Sequence, residues 1–177
     1  MTIDMTRHQG SAGVALVELA SKRKQHYIVR TDIRAEQSDD GNIVSFIETK
    51  FPYKPSLQEI KDFVLSVIDA QTDAKILNSY EFTPDGAEEP IVVWLSKENQ
   101  TNFSEAHRLK FVPVKFKLNE TEDKQPIYHT FETFAELDRF YTGGVQYINQ
   151  CLNEGWQRKD SIDWTPYEEQ LSALLGE

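Results

Sequence analysis

Apolar and polar positions alternate along several short stretches of the chain, and segments with helical spacing follow them. Residues 27–34 alternate with the period of a strand that buries one face, and a second apolar run extends from Ile43 to Phe51. Apolar residues three and four positions apart then predict a helix from Ser56 to about Ala70, namely Leu57, Ile60, Phe63, Val64, Val67 and Ile68. Two strands and a helix therefore form the first unit.

The same order of two strands and a helix occurs twice more. The predicted elements are strands at 76–82 and 91–95 before a helix at 97–109, and strands at 112–118 and 127–131 before a helix at 134–155. Gly155 would end the last of these helices, because glycine is favoured just past a final turn. Hairpins that feed helices predict an α+β fold with a mostly antiparallel sheet, built from three β-hairpin plus helix units with the helices packed on one side.

Three sequence patterns of the capping-box type mark helix starts. They are Ser56–Glu59, Thr133–Glu136 and Thr165–Glu168, in which a hydroxyl and a carboxylate three residues apart can satisfy amides that the first turn leaves unpaired. Pro166 supports the last start, since proline suits the first helical position. The Gly143–Gly144 pair lies within the third helix, where each glycine costs roughly 1 kcal/mol relative to alanine, so we expect a kink or a close helix contact there.

The two ends of the chain carry weaker patterns. Residues 1–10 are polar and predict a mobile tail, and residues 11–22 fit a short helix and a strand equally well. At the other end, a short helix is expected at 165–175. The chain of 177 residues has room for one substantial core, so we expect a single α+β domain from 11 to 177.

Charge and cysteine content narrow the classes of partner. The 29 acidic and 19 basic residues give a formal charge of −10, a field that repels phosphate backbones, so no nucleic-acid partner is expected. Cys151 is the only cysteine, which excludes an intramolecular disulfide and is typical of a chain that folds in a cytoplasm. The apolar run Ala12–Leu19 is too short to span a bilayer and contains Glu18, so no membrane association is expected.

Sequence motifs of catalysis, cofactor binding and metal binding are absent from the chain. The four histidines have no metal-ligand spacing, and HExxH, paired-cysteine, Walker, GxGxxG, GxSxG and kinase patterns do not occur. We therefore predict no catalytic residue, no cofactor and no metal site. A hydrolase stays open as an alternative, since 29 acidic residues include many chance pairs of carboxylates.

The stretch from Trp94 to Phe103 is a candidate binding corner between a strand and a helix. Trp94 closes the strand, and Asn99, Gln100 and Asn102 open the helix with amide groups. Aromatic and amide groups at such a corner can bind a sugar or a peptide. The alternative is that Trp94 covers the sheet and that the amides are solvated.

Acidic residues occur at all three hairpin turns. If the hairpins lie side by side, Asp40, Asp85 and Glu122 would gather into an acidic rim that meets a basic partner or a calcium ion. Three separately solvated turns are the simpler interpretation of the same residues.

Several runs of residues between Arg30 and Trp164 carry a resemblance to a known family. They are 30–33 (RTDI), 55–61 (PSLQEIK), 70–77 (AQTDAKIL), 93–103 (VWLSKENQTNF), 112–117 (VPVKFK), 128–132 (YHTFE) and 159–164 (KDSIDW). In these runs the chain resembles small proteins encoded in phages and prophages of gut bacteria, usually found among tail genes and without an assigned activity. The resemblance implies a structural or accessory role in a virion, with other phage structural proteins or further copies of the chain as partners. It carries no site residue.

The residues and the resemblance together give two functions of different classes. The first is a non-enzymatic phage or prophage structural or accessory protein, tail-associated, that acts through protein contacts. The second is a recognition module that binds a host glycan or peptide through the corner at 94–103.

Overall fold

The structure, a computed structural model, describes residues 4–36 and 43–174. Within these residues it has eight strands, all in antiparallel sheets, and four helices, so the predicted α+β class is confirmed. The strands are β1 (Arg7–Ser11), β2 (Val17–Ser21), β3 (His26–Ala35), β4 (Ile43–Phe51), β5 (Tyr80–Phe82), β6 (Ile91–Val93), β7 (Val114–Glu120) and β8 (Pro126–Phe131). The helices are α1 (Leu57–Asn78), α2 (Lys97–Arg108), α3 (Phe134–Asp160) and α4 (Thr165–Ala173).

The chain divides into two compact units, where the sequence predicted one domain from 11 to 177. Unit 1 comprises residues 1–70 and 158–177, and unit 2 comprises residues 71–157. Helices α1 and α3, with 22 and 27 residues, are long enough to supply residues to both units. The buried apolar residues accordingly form one core cluster in each unit.

Unit 1 contains a four-stranded antiparallel sheet in the order β1-β4-β3-β2. β3 and β4 form the first predicted hairpin, and the bounds of β4 agree with the strand predicted from Ile43 to Phe51. The core of the unit lies between this sheet and the helices α1 and α4, and its buried residues are Val17, Val29, Ile60, Val64 and Tyr167.

Residues 7–10, predicted to belong to a mobile tail, form most of β1. The Arg7 guanidinium donates to the carbonyl and hydroxyl oxygens of Ser45 and lies 2.6 Å from the Asp32 carboxylate. β1 is polar because it lies at an edge of the sheet, and that polarity made the sequence look like a tail. The open choice between helix and strand at 11–22 is settled for Val17–Ser21, which is strand β2.

Unit 2 contains two hairpins, β5–β6 and β7–β8, in which β6 lies beside β7. The Trp94 amide donates to the Leu118 carbonyl at 2.8 Å, and the Asn119 side chain donates to the Val92 carbonyl at 2.8 Å. This pairing is antiparallel, so the β5–β6 turn and the β7–β8 turn lie at the same end of the strands. The hairpins pack on α2 and α3 through buried side chains, among them Val93, Phe103, Phe131, Leu137 and Phe140.

Helix α1 extends well past its predicted end. It continues to Asn78 instead of ending near Ala70, because residues 71–75 contain no glycine or proline and Ile76 continues the buried face of the helix. As a result, β5 begins at Tyr80.

Helix α3 passes through Gly155, which the sequence predicted as its end, and continues to Asp160. Gly155 is buried, and a Cβ atom there would lie 2.7 Å from Thr72 Oγ1. The glycine therefore allows close packing between α1 and α3 and does not terminate a helix.

Three of the predicted helix starts, at Ser56, Ser96 and Thr133, have a side-chain cap bond, and the fourth does not. The Ser56 hydroxyl accepts the Glu59 amide at 3.2 Å while the Glu59 carboxylate accepts the Ser56 amide at 2.7 Å, which completes a capping box. Ser96 caps α2 by accepting the amide three residues later at 3.2 Å. Thr165, by contrast, is the first residue of α4, and Trp164 holds the cap position without a side-chain bond.

Candidate functional site

An open groove of about 470 Å³ lies between α2 and α3 in unit 2. We call it the α2–α3 groove. Its apolar lining includes Leu95, Phe103, Phe140, Val145 and Ile148. Helix α2 adds polar side chains to the lining, namely Lys97, Gln100, Thr101, Ser104 and Glu105.

The aromatic part of the lining is held rigidly by edge-to-face ring contacts. The Phe103 ring lies 4.9 Å from the Phe140 ring at an angle of 79° and 4.8 Å from the Phe116 ring at 68°. Phe103 and Phe140 are almost fully buried, at 3% and 1% exposed. These ring contacts form an ordered apolar floor beneath the groove.

Tyr80 borders the groove beside two consecutive glycines of α3. Its hydroxyl donates to the Phe140 carbonyl at 2.8 Å, and a Cβ atom on Gly143 would lie 2.7 Å from that hydroxyl oxygen. The sequence predicted a kink or a close helix contact at the glycine pair, and the structure instead places the aromatic ring of Tyr80, from strand β5, against it. Burial raises the pKa of Tyr80 to about 12, so the hydroxyl stays a donor at neutral pH.

His107 connects the two helices that border the groove. Its ring stacks on Tyr141 of α3 with centroids 4.2 Å apart, and its Nε2 atom lies 2.7 Å from the Asp138 carboxylate. The Tyr141 hydroxyl also lies 3.5 Å from the Ser104 hydroxyl. These contacts fix the spacing of α2 and α3, and with it the width of the groove.

The structure brings only part of the predicted binding corner into the groove. Gln100 lines it, but its amide donates to a carbonyl five residues earlier at 2.6 Å, and the Asn99 amide donates to the Trp94 carbonyl at 2.8 Å. Both amides therefore stabilise the turn from β6 into α2. Asn102 is exposed outside the lining, and Trp94 is half-buried with the Lys117 ammonium 5.6 Å from its ring centroid.

The structure describes two of the three residues predicted to form an acidic rim. Asp40 lies outside the described residues. Asp85 and Glu122 are exposed in the two turns that share one end of unit 2. Asp85 also forms an ion pair with Arg139 at 2.8 Å, which offsets its charge. A rim shared by all three turns stays a prediction.

The partner of the Glu136 carboxylate was not anticipated from the sequence. Glu136 is only 5% exposed, and its Oε1 atom accepts the Asp85 amide at 2.9 Å and lies 3.0 Å from His129 Nε2. The capping-box pattern singled out this residue but predicted another partner, and only the Thr133 half of the box forms, with the Glu136 amide at 3.3 Å. The carboxylate instead ties the β5–β6 turn and β8 to the start of α3.

Within residues 4–36 and 43–174, no group of three histidine, cysteine, aspartate or glutamate side chains is placed to hold a metal ion. In the same part of the chain, no helix combines the length and the apolar character needed to cross a membrane. The described residues that line the α2–α3 groove include hydroxyls, one amide, one lysine and one glutamate, but no histidine or cysteine.

Fold and groove together define an α+β protein with an open groove between two helices. Comparisons of the chain with known protein families, with curated proteins and with solved structures found no match.

Proposed function

We propose that the protein is a non-enzymatic structural or accessory protein of a phage or prophage, associated with the tail, and that it acts through protein contacts. Its partners are other phage structural proteins or further copies of the chain. The observation that carries the proposal is the α2–α3 groove, an ordered apolar surface whose lining holds no histidine or cysteine among the described residues. The phage and tail setting comes from the resemblance between residues 30 and 164.

The groove is suited to a protein partner because it combines an apolar strip with polar groups along one helix. A groove of this kind accepts an amphipathic segment, whose apolar side chains bury against the strip while polar groups meet the edge. Val145 is 38% exposed although it lines the groove, so apolar surface is available for burial. Burial of such surface contributes about 25 cal/mol per Å² before the costs of association.

Complementation of a gene deletion tests this proposal. Particles released from an induced host strain that carries the gene would be purified and examined by mass spectrometry and electron microscopy. We expect the chain to copurify with tail proteins, or its deletion to leave particles with incomplete tails. Complete, infectious particles from the deletion strain, with the chain missing from wild-type particles, would contradict the proposal.

Two variants on neighbouring residues of α3 connect that test to the groove. Val145→Lys places a charge in the groove lining and should fail to complement the deletion, because burial of an unpaired ammonium opposes docking. Gln146→Lys places the same charge on the next, exposed residue and should complement normally. If both variants complement, the groove is not the contact surface.

A second candidate function is recognition of a host peptide or glycan through the same groove. It is favoured by the fact that five residues of the predicted corner region line the groove, namely Leu95, Lys97, Gln100, Thr101 and Phe103. Binding would be measured on a glycan array and to a peptide library. Binding that Val145→Lys abolishes and Gln146→Lys retains would support this function over a role in assembly.

A further inference from the structure

We infer that unit 1 carries a separate docking cleft for a basic segment of a partner protein, which inserts an arginine or lysine side chain. The cleft has a volume of about 600 Å³. Aromatic residues Phe51, Tyr53 and Phe63 and acidic residues Asp4, Glu59 and Asp62 line it. We call it the Tyr53 cleft. The inference does not rest on the proposed function, because the cleft lies in unit 1 and shares no residue with the α2–α3 groove.

Tyr53 is an aromatic ring that is both accessible and fixed in place. The side chain is 50% exposed, and its ring lies 6.0 Å from the Phe51 ring at an angle of 67°. Its hydroxyl donates to Glu59 Oε1 at 2.7 Å. The other Glu59 oxygen accepts the amide and the hydroxyl of Ser56 at 2.7 and 2.8 Å. The cap of α1 therefore holds an aromatic ring next to a carboxylate.

The charges that line the cleft are predominantly negative and incompletely paired. Glu48 is neutralised by Arg30 at 3.1 Å, and Lys50 is the one cation among the described lining residues. Asp4, Glu59 and Asp62 form no ion pair with any described residue. Hydrogen bonds from the side chain and amide of Thr6 hold the pKa of Asp4 below its usual value. Those from Ser56 and Tyr53 do the same for Glu59, so both carboxylates are charged at neutral pH.

An aromatic ring beside carboxylates that have no ion-pair partner among the described residues matches one chemistry, a cation on an apolar stem. Arginine and lysine side chains stack on aromatic faces and bond to carboxylates at the same time, and their methylene groups pack on apolar surface. A bare metal ion fits less well, since no described group of three acidic, histidine or cysteine side chains is placed to coordinate one. The volume exceeds that of one side chain, which favours a peptide segment over a free amine.

Fluorescence anisotropy with a labelled peptide tests the inference. The probe is fluorescein-labelled (Gly-Arg-Gly) repeated three times, and the control peptide has citrulline in place of each arginine. We expect the arginine peptide to bind at least roughly tenfold more tightly, because citrulline keeps the shape and loses the charge. Equal binding of the two peptides would overturn the inference. Unlabelled arginine amide that competes as strongly as the whole peptide would overturn the choice of a protein segment.

Variants with matched changes in net charge separate the cleft from general attraction to an acidic protein. Asp4→Asn with Asp62→Asn should weaken binding of the arginine peptide roughly tenfold. Asp73→Asn with Glu132→Gln, two exposed positions that are not part of the cleft lining, should change it less than about twofold, because salt screens the general attraction between peptide and protein. Equal weakening by both pairs would refute the cleft.

Tyr53→Leu provides a second, independent readout. It removes the ring and should weaken binding with net charge unchanged, whereas Tyr53→Phe keeps the ring and should retain most of the affinity. Thermal melts verify that each variant is folded. If Tyr53→Leu does not fold, the Asp4→Asn with Asp62→Asn variant decides whether the peptide binds in the cleft. Undiminished binding by a folded Tyr53→Leu variant would overturn the role of the ring.

Discussion

The Tyr80 side chain packs directly against the Gly143–Gly144 pair of α3. The Tyr80 hydroxyl fills the position next to Gly143 that a side chain would otherwise take, and it donates to the Phe140 carbonyl. At Gly144, a Cβ atom would meet the ring at 3.6 Å, an ordinary van der Waals distance. Two adjacent glycines in one helix thus differ sharply in how much they tolerate substitution.

We expect Gly143→Ala to lower the stability of the fold and Gly144→Ala to leave it equal or raise it. Both substitutions favour the helix by up to about 1 kcal/mol, since alanine has the higher helix propensity. Only Gly143→Ala forces Tyr80 to move, so it should lower the free energy of unfolding by about 1–2 kcal/mol. Gly144→Ala should leave it equal or raise it. Urea denaturation of both variants measures the difference, and equal midpoints would contradict this account of the glycine pair.

The buried hydroxyl of Tyr80 predicts a loss of stability at alkaline pH. Its pKa is about 12 in the folded chain against 10.0 for an ordinary tyrosine, so the unfolded chain releases the proton first. The free energy of unfolding is therefore unaffected by the titration of this tyrosine below pH 10. It falls by about 2 kcal/mol as the pH rises from 10 to 12. Burial also raises the pKa of Tyr147 and Tyr167, so these residues add to the loss.

Tyr80→Phe isolates the contribution of this hydroxyl. At pH 7 the variant should be less stable by about 1 kcal/mol, the usual net worth of one hydrogen bond. Between pH 10 and 12 it should lose less stability than the parent. Denaturant midpoints measured across that range provide the comparison, and parallel curves for the two proteins would show that Tyr80 titrates normally.

At the scale of elements, the three predicted capping boxes have different structural outcomes and so predict different mutational effects. Ser56→Ala and Thr133→Ala each remove a cap bond and should lower the free energy of unfolding by about 1 kcal/mol. Thr165→Ala removes no side-chain cap bond and should change it by less than about 0.5 kcal/mol. Chemical denaturation orders the three variants. A Thr165→Ala effect as large as that of Ser56→Ala would show that Thr165 caps α4 after all.

Local patterns in the sequence predicted most elements but not their partners. Alternation identified β3 and β4, and capping chemistry identified the starts of α1 and α3, because these signals depend only on neighbours in the chain. The prediction that Gly155 ends a helix was wrong. A glycine is needed there because Thr72 lies so close, and that contact joins residues far apart in sequence. The polar edge strand β1 was missed because its polarity is typical of a tail.

The candidate site was predicted less completely than the fold. The corner at 94–103 contributes to the α2–α3 groove, but Asn99 and Gln100 direct their amides to backbone carbonyls. The remainder of the groove comes from α3, and no sequence signal shows which face of one helix will border another. The Tyr53 cleft was not predicted, because its residues lie on separate elements that only the folded chain brings together.

At the scale of the whole molecule, the excess of acidic residues predicts a response to salt. The β5–β6 and β7–β8 turns share one end of unit 2, so their carboxylates repel one another at low ionic strength, and screening acts within about 10 Å at 0.1 M salt. Stability should rise from very low to moderate salt. Glu88→Gln with Glu122→Gln should reduce that rise, whereas Asp73→Asn with Glu132→Gln, which removes the same charge elsewhere in the unit, should reduce it less.

Thermal melts of the two pairs of variants are compared between about 5 and 150 mM salt. Over that range the screening length falls to about 8 Å, so repulsion between neighbouring turns is progressively removed. Asp85 is left unchanged in both pairs, because its ion pair with Arg139 would confound the result. A salt response that neither pair alters would remove the case for clustered charge at this end of unit 2.

The division of unit 1 into two stretches of sequence has a consequence for synthesis on the ribosome. Residues 71–157 leave the ribosome as one continuous piece, so unit 2 has all its residues while the chain is still growing. Unit 1 must wait for α4, whose Gln170 side chain accepts the backbone amides of Leu16 and Val17 at 2.7 and 3.0 Å. Residues 1–70 are therefore made before unit 2 but complete their folded unit after it.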